Sequence, residues 1–217
     1  MAKKALKKGL FITLEGPEGC GKSTHAGLLR AHLRRAGYAC LLTREPGGTK
    51  AGELVRHVLL HARGARISNM TETLLFEACR SQLVTEVITP ALARGTIVIS
   101  DRYSDSTVCY QGYGGKVPVR DIRAIDRIAT GGLKPDLTVV LDIDVMTGLR
   151  RAKRKGIDRM ESKALQYHRQ VRAGYLACAR KEPGRMTVIK VAGTIKETQE
   201  AIRNEVIRVI QRHQRSR

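Results

Sequence analysis

Eight residues, Gly16-Pro17-Glu18-Gly19-Cys20-Gly21-Lys22-Ser23, carry the spacing G-x-x-x-x-G-K-S. That pattern suits a loop that cradles phosphates. Its glycines let backbone N–H groups turn inward, and a following helix N-terminus adds partial positive charge. Lys22 is placed to reach the β- and γ-phosphates of a nucleotide, and Ser23 to ligate Mg²⁺. The flanks agree: the apolar run Leu10-Phe11-Ile12-Thr13-Leu14 leads in, and Leu28, Leu29 and Leu33 follow at helical spacing. The stretch reads as a nucleoside triphosphate site. Cys20, near a helix N-terminus and Lys22, could have a lowered thiol pKa, but reads better as a small residue filling a tight loop.

The elements that must hold this loop alternate between strand and helix. Helical spacing covers Lys22 to Ala36, closed by Gly37, then a short strand Tyr38 to Thr43 runs into Arg44-Glu45-Pro46-Gly47-Gly48-Thr49. Further helices are predicted over Ala51 to His61 and from Met70 to Gly95, with Pro90 kinking the second or starting a new turn. Thr96 to Ser100 and Leu137 to Leu141 are apolar runs suited to buried parallel strands. The first ends in Asp101-Arg102-Tyr103, and the chain from there through Gly112-Tyr113-Gly114-Gly115 reads as a loop up to Pro118, a first helical residue. A helix from Pro118 stops at Gly131-Gly132. The second strand ends in Asp142-Ile143-Asp144, followed by a helix into a basic cluster, a helix from about Ser162 to Lys181, a strand Met186 to Val191 and a helix Ile195 to Gln211. Such alternation implies an α/β fold with a parallel sheet and right-handed crossovers, whose ligands lie beyond the carboxyl ends of the strands. Gly16, Arg44-Glu45, Asp101-Arg102 and Asp142/Asp144 all fall there.

Bulk properties set limits. The 217 residues suit one domain with a sizeable core, and no linker or repeat divides them. The basic start, Met1 to Lys8, is followed by too short an apolar stretch for a signal peptide or a membrane span. Five cysteines form no Cys-x-x-Cys pair, which favours a reducing cytoplasm over a zinc or disulfide framework. The net charge of +20 would attract polyanions, so a nucleic-acid-stimulated ATPase has to be weighed. Against it, aromatic residues are scarce and Trp is absent, leaving no stacking platform for single strands.

The acceptor of a phosphoryl group is narrowed by what the chain lacks. It has no Asn-Lys-x-Asp guanine-reading segment, no His-Arg-Asp and no Asp-Phe-Gly. With no obvious base to deprotonate an alcohol, an acceptor that is already an oxyanion is favoured, and a phosphate monoester, with a second pKa of about 6, is one. A nucleoside monophosphate therefore fits better than a nucleoside hydroxyl.

Beyond the loop, Thr43-Arg44-Glu45-Pro46-Gly47-Gly48-Thr49, Phe76-Glu77-Ala78-Cys79-Arg80, Asp101-Arg102-Tyr103-Ser104-Asp105-Ser106-Thr107, Tyr110-Gln111-Gly112 and Pro135-Asp136-Leu137-Thr138 follow in order. Together they closely resemble bacterial thymidylate kinases over nearly the whole chain. The resemblance implies a P-loop nucleoside monophosphate kinase-like fold, a five-stranded parallel sheet flanked by helices, in a single domain over residues 1–217. The implied activity is transfer of the γ-phosphoryl group of MgATP to dTMP, with dTDP and ADP as products; a deoxynucleoside kinase is the alternative. It implies ATP contacts along Gly16 to Ser23 and at Thr24, with Ser23 and Asp101 serving Mg²⁺ and Glu18 orienting the metal, its waters or the acceptor. Phe76 would stack on thymine and Arg80, four residues on and so on the same helix face, would meet its carbonyl edge. Arg44 and Arg102 would clamp the acceptor phosphate beside Pro46, Thr107 and Gln111 would lie near the base edge, and Tyr110 would crowd the 2′ position of the sugar. Relatives of this kind are commonly cytoplasmic homodimers, with no membrane and no requirement for nucleic acid.

The basic cluster Arg150-Arg151-Ala152-Lys153-Arg154-Lys155-Gly156-Ile157-Asp158-Arg159 matches the family's lid, placed here at 148–161. Some relatives carry an arginine inside the P-loop, and this chain has none. The charge on the moving phosphoryl group then has to be met from the lid, by an arginine finger in cis. Arg151 and Arg154 are the two candidates. This lid is one residue shorter than some and has lysine where arginine is common. The basic ends, 1–8 and 212–217, read as a flexible start and a solvated tail.

Overall fold

The computed structural model describes residues 6–61, 66–153, 159–160 and 162–215. Five strands, β1 (Leu10–Glu15), β2 (Cys40–Arg44), β3 (Ile97–Asp101), β4 (Leu137–Asp142) and β5 (Met186–Lys190), form one parallel sheet in the order β2-β3-β1-β4-β5. The helices are α1 (Lys22–Arg35), α2 (Lys50–His61), α3 (Asn69–Leu83), α4 (Thr89–Ala93), α5 (Ser104–Thr107), α6 (Val119–Thr130), α7 (Val145–Lys153), α8 (Leu165–Lys181) and α9 (Ile195–Arg215).

All six residues of β1 are buried, as expected of a central parallel strand covered on both faces. Leu10, Ile12 and Leu14 pack with Leu29 and Leu33 of α1 and Ile202 and Val206 of α9. Phe11 points the other way, into a cluster with Leu83, Val98 and Tyr103. Successive strand side chains alternate faces, so one sequence of five apolar or small polar residues anchors helices on both sides. The neighbours of β1 are β3 and β4, reached by crossovers on opposite sides, and the phosphate loop leaves β1 at that switch in strand order.

Three expectations need correction. The stretch read as a loop after Tyr103 is helical: α5 continues into a π-helical segment, Val108–Gly114. Its polar residues are tied into the interior: Asp105 is buried against Arg185 at 2.7 and 2.9 Å, and Ser106 donates to Glu15 at 2.6 Å. Its glycines serve packing, since a Cβ at Gly114 would come within 2.6 Å of the Tyr167 ring. Pro118 is the N-cap, and α6 starts one residue later. The long helix from Met70 divides into α3, a π turn over Val84–Ile88 and α4. Pro90 has no N–H to give, and the wider turn, in which Thr89 N–H reaches the Val84 carbonyl, takes up the break.

Candidate active site

The phosphate loop is seated by close backbone contact. Gly16 has φ 136°, and a Cβ there would stand 2.4 Å from the Leu141 carbonyl at the end of β4. A Cβ at Gly19 would stand 2.0 Å from the Gly148 carbonyl, and one at Gly148 would stand 2.3 Å from the Glu18 carbonyl. The loop and the helix bearing Arg151 therefore touch backbone to backbone, a closeness only glycine permits. Gly21, at φ 95°, turns the chain into α1, whose first turn carries no acid that would compete for an anion. Lys22 is buried, with Nζ donating to the Gly16 and Pro17 carbonyls at 3.0 and 2.9 Å and to Cys20 Sγ at 3.4 Å. The ammonium thus sits over the hollow of its own loop. Cys20 is fully buried and burial pushes its thiol up, the opposite of a reactive cysteine. The exposed Ser23 hydroxyl donates to the carboxylate of Asp101 at the end of β3, and Thr24 lines the cleft beside it.

Arg102 reaches the loop through a left-handed backbone, φ 74°. The kink is held by Arg102 N–H to the Leu14 carbonyl at 3.1 Å, Ser100 Oγ to the Arg102 carbonyl at 2.7 Å and Tyr103 N–H to Glu15 Oε1 at 2.7 Å. A non-glycine residue held there costs roughly 1 kcal/mol or more, and here the conformation directs a guanidinium at Glu18. Its Nη2 lies 2.8 and 3.0 Å from the two Glu18 oxygens, its centre 4.9 Å above the Tyr110 ring, and the Tyr110 hydroxyl donates to Glu18 at 2.7 Å. Burial alone would raise the Glu18 carboxyl, but Arg102 and then Lys22 and the Tyr110 hydroxyl more than reverse this, holding it at about 2. The two arginines expected at the acceptor phosphate pair with acids distant from them in sequence rather than with their neighbours Asp101 and Glu45. Arg102 takes Glu18, and Arg44, exposed, sits 3.2 Å from both oxygens of Glu53.

The wall expected to meet the base carries Phe76 and, behind it, Arg80. Phe76 is half-buried and lines the cleft, whereas Arg80 is 1% exposed and does not. Its Nε and Nη2 lie 2.9 and 2.7 Å from Glu45 Oε2, Nη1 bonds Glu77, Nη2 donates to Thr107 Oγ1 at 3.0 Å, and its plane lies 5.3 Å from the Tyr103 ring centre. It does not snorkel to solvent; its fork is held by Glu45 and Thr107, both of which line the cleft. Burial pushes Glu45 up to about 8 against the pull of Arg80. Thr107, Tyr110 and Gln111 line the cleft from α5 and the π segment, and Pro46 does so after a cis peptide. Gln111 Nε2 donates to Glu72 Oε1 at 2.8 Å.

At the other end Arg151, exposed on the last turn of α7, lines the cleft; Arg154 lies outside the described residues. Asp142 and Asp144 do not line the cleft. Asp142 pairs with Arg172 at 2.6 and 2.9 Å, and Asp144 caps α7 through Thr147 N–H at 2.9 Å. Two groups went unread in the sequence. Arg56 on α2 lines the cleft and donates to the Pro46 carbonyl at 2.7 Å. Val191, Gly193, Thr194, Ile195 and Thr198 close the end beyond β5. The same strand-end rule that picked out β1 to β4 applies to β5. Thr194 and Glu197 form a reciprocal cap, at 2.7 and 3.2 Å, legible as Thr-x-x-Glu.

All these surfaces bound one continuous cleft of about 660 Å³, running from Gly19–Thr24 to Phe76 and Gln111. That volume is of the size that holds small-molecule ligands.

The family model described as thymidylate kinase matches residues 14–202. The chain is 45% identical over 207 residues to a thymidylate kinase of Roseiflexus castenholzii, covering 89% of this chain and 90% of the relative. It is 50% identical over 185 residues to one of Deinococcus radiodurans, covering 85% and 89%. The crystal structure of thymidylate kinase from Ehrlichia chaffeensis superposes with a TM-score of 0.75 at 31% identity, covering 92% of this chain and 99% of that one. On its fold, its cleft and these relatives, the chain belongs to the thymidylate kinase family.

Proposed function

We propose that this chain transfers the γ-phosphoryl group of ATP to dTMP, giving ADP and dTDP for dTTP synthesis. The observation that carries the reading is the single cleft: a phosphate loop at one end, an aromatic side chain and an amide at the other, and Arg102 between them. Lys22 exchanges the carbonyls of its own loop for the β- and γ-phosphates, helped by the N-terminus of α1. Arg102, already beside the loop, and Arg44 hold the acceptor phosphate, and Phe76 packs on the base. The Tyr110 ring, pinned through its hydroxyl to Glu18, narrows the space at the sugar. Glu18, held near 2 by its partners, is a poor proton acceptor at neutral pH, which suits an acceptor that arrives as an oxyanion better than an alcohol.

Ser23 and Asp101 offer two adjacent hard oxygens, a set that suits Mg²⁺ held mainly through substrate phosphates and water. The metal, when bound, neutralises charge on the β- and γ-oxygens. Arg151, with Arg154 as the alternative, supplies positive charge to the phosphoryl group in flight. Catalysis is then positioning and charge neutralisation with water excluded by residues 148–161.

A coupled ADP-release assay comparing dTMP, thymidine, other monophosphates and single-stranded DNA tests the reading. Turnover dependent on dTMP is expected; activity with thymidine, or stimulation only by DNA, would overturn it.

We also read the chain as one domain that pairs with a second copy of itself in the cytoplasm. The neighbouring helices α2, α3 and α6 leave Leu54, Leu74 and Ile128 exposed, at 74, 49 and 84%. Exposed apolar side chains on adjacent helices favour association, and a single monomeric species in sedimentation at micromolar concentration would contradict it. All five cysteines are free, and among the described residues no helix is long and apolar enough to cross a membrane.

A further inference from the structure

Behind the base wall lies a buried carboxylate with no assigned part in the reaction. Glu72 stands one turn into α3, its side chain 1% exposed. Its Oε1 accepts from Gln111 Nε2 at 2.8 Å and from Lys163 Nζ at 3.1 Å, while Oε2 pairs with Arg159 Nη2 at 2.5 Å. Burial works to raise this carboxyl, yet the Gln111 hydrogen bond and the two cations bring it below the usual range.

An ionised carboxylate only accepts hydrogen bonds. The end of the Gln111 amide that faces it must therefore be the NH₂ group. Amide orientation is ordinarily ambiguous from geometry, and here the chemistry of the neighbour decides it. Turning the amide over would set a carbonyl oxygen against a carboxylate in a buried place and forfeit a charge-assisted hydrogen bond. The carbonyl Oε1 is left for the cleft that Gln111 lines, and it has no hydrogen-bond partner among the described residues.

We propose that Glu72 is a specificity-determining positioning residue: by holding Gln111 as a hydrogen-bond acceptor toward the cleft, it selects bases that present a ring imide N–H. Thymine and uracil carry that N–H at N3. Cytosine has a bare, accepting nitrogen at the same place, and would set acceptor against acceptor. The inference rests on the reading that the base of dTMP lies between Phe76 and Gln111. A site committed to one hydrogen-bonding pattern rejects a ligand that cannot supply it far more strongly than a site that merely fits its shape.

The test compares kcat/KM for dTMP and for dCMP in the wild type, Glu72→Gln and Gln111→Leu. Glutamine at 72 can accept or donate, so the amide at 111 is free to turn. The dTMP:dCMP ratio is expected to fall at least about tenfold in Glu72→Gln. A purely structural role would lower both substrates alike and leave the ratio unmoved, which would overturn the proposal. If Gln111→Leu also leaves the ratio unmoved, the placement of the base fails instead, so the two failures separate. Should Glu72→Gln not fold, N3-methyl-dTMP on the wild-type chain decides. Binding weaker than dTMP by about a hundredfold or more supports the acceptor at Gln111, and equal binding overturns it.

Discussion

Two arginines on opposite sides of the cleft are treated very differently by the fold. Arg80, behind the base wall, is 1% exposed and bonded to Glu45, Glu77 and Thr107, with its plane over Tyr103. Arg151, beside the phosphate loop, is exposed and makes no ion pair among the described residues. A buried guanidinium among carboxylates is fixed by the cost of leaving any of them unpaired. An exposed one is left available for a charge that arrives with the substrates. The acceptor half is thus built into the fold, and the donor half keeps its cation in reserve. Arg102 lies between these extremes: partly buried, paired with Glu18, and held there by a left-handed backbone.

The largest expected effect is on the buried side. Arg80→Met should lower unfolding stability by about 3–5 kcal/mol at pH 9, because it removes the buried partner of Glu45 and Glu77. Burial raises both carboxyls, Glu45 to about 8, so Glu45 is protonated at pH 5 and the loss should shrink there. Chemical denaturation at the two pH values reads this; an equal loss at both would contradict it.

Glu15 gives a second test of the built half. It ends β1, accepts from Tyr103 N–H, Ser106 and Tyr175, and is pushed from 4.5 up to about 7 by burial and by Asp105. Raised in the fold, it keeps its proton where the unfolded chain has released it. Its contribution therefore falls as pH climbs from about 4.5 to about 7, by on the order of 3 kcal/mol. Glu15→Gln should flatten the stability profile across that window, and an unchanged slope would remove Glu15 as its cause. Glu18 runs the opposite way: lowered to about 2, its stabilisation is present above about 4.5 and lost as pH falls toward 2.

The smallest effect belongs to the surface. Arg44→Ala breaks an exposed pair with Glu53, and should change stability by no more than about 1 kcal/mol. Its consequence should instead be a raised KM for dTMP. If stability falls while KM does not move, Arg44 belongs with the built half.

Much of this contrast was hidden in the sequence. The phosphate loop and the alternation of strands and helices were legible because each depends on local spacing: β1, Gly16 to Ser23 and α1 are contiguous. The direction of Arg80 was not. Four-residue spacing puts Phe76 and Arg80 on one helix face, but Glu45, 35 residues earlier in the chain, and Thr107, 27 residues later, hold the buried guanidinium. Arg102 likewise finds Glu18, 84 residues away, rather than the acids next to it in sequence. The stretch after Tyr103 was read as a loop on its glycines, whereas Arg185, Glu15 and Arg80 reach Asp105, Ser106 and Thr107 and hold it as a buried helix. Polar partners across long separations decide these positions, and no local pattern records them.

The difference between a built acceptor half and a reserved cation is tested most directly at Arg151. Steady-state turnover and dTMP binding should be measured for Arg151→Ala beside Arg154→Ala. At least one of the two should lower kcat by at least about tenfold, with dTMP affinity and thermal stability nearly unchanged. Full turnover in both single variants would contradict it.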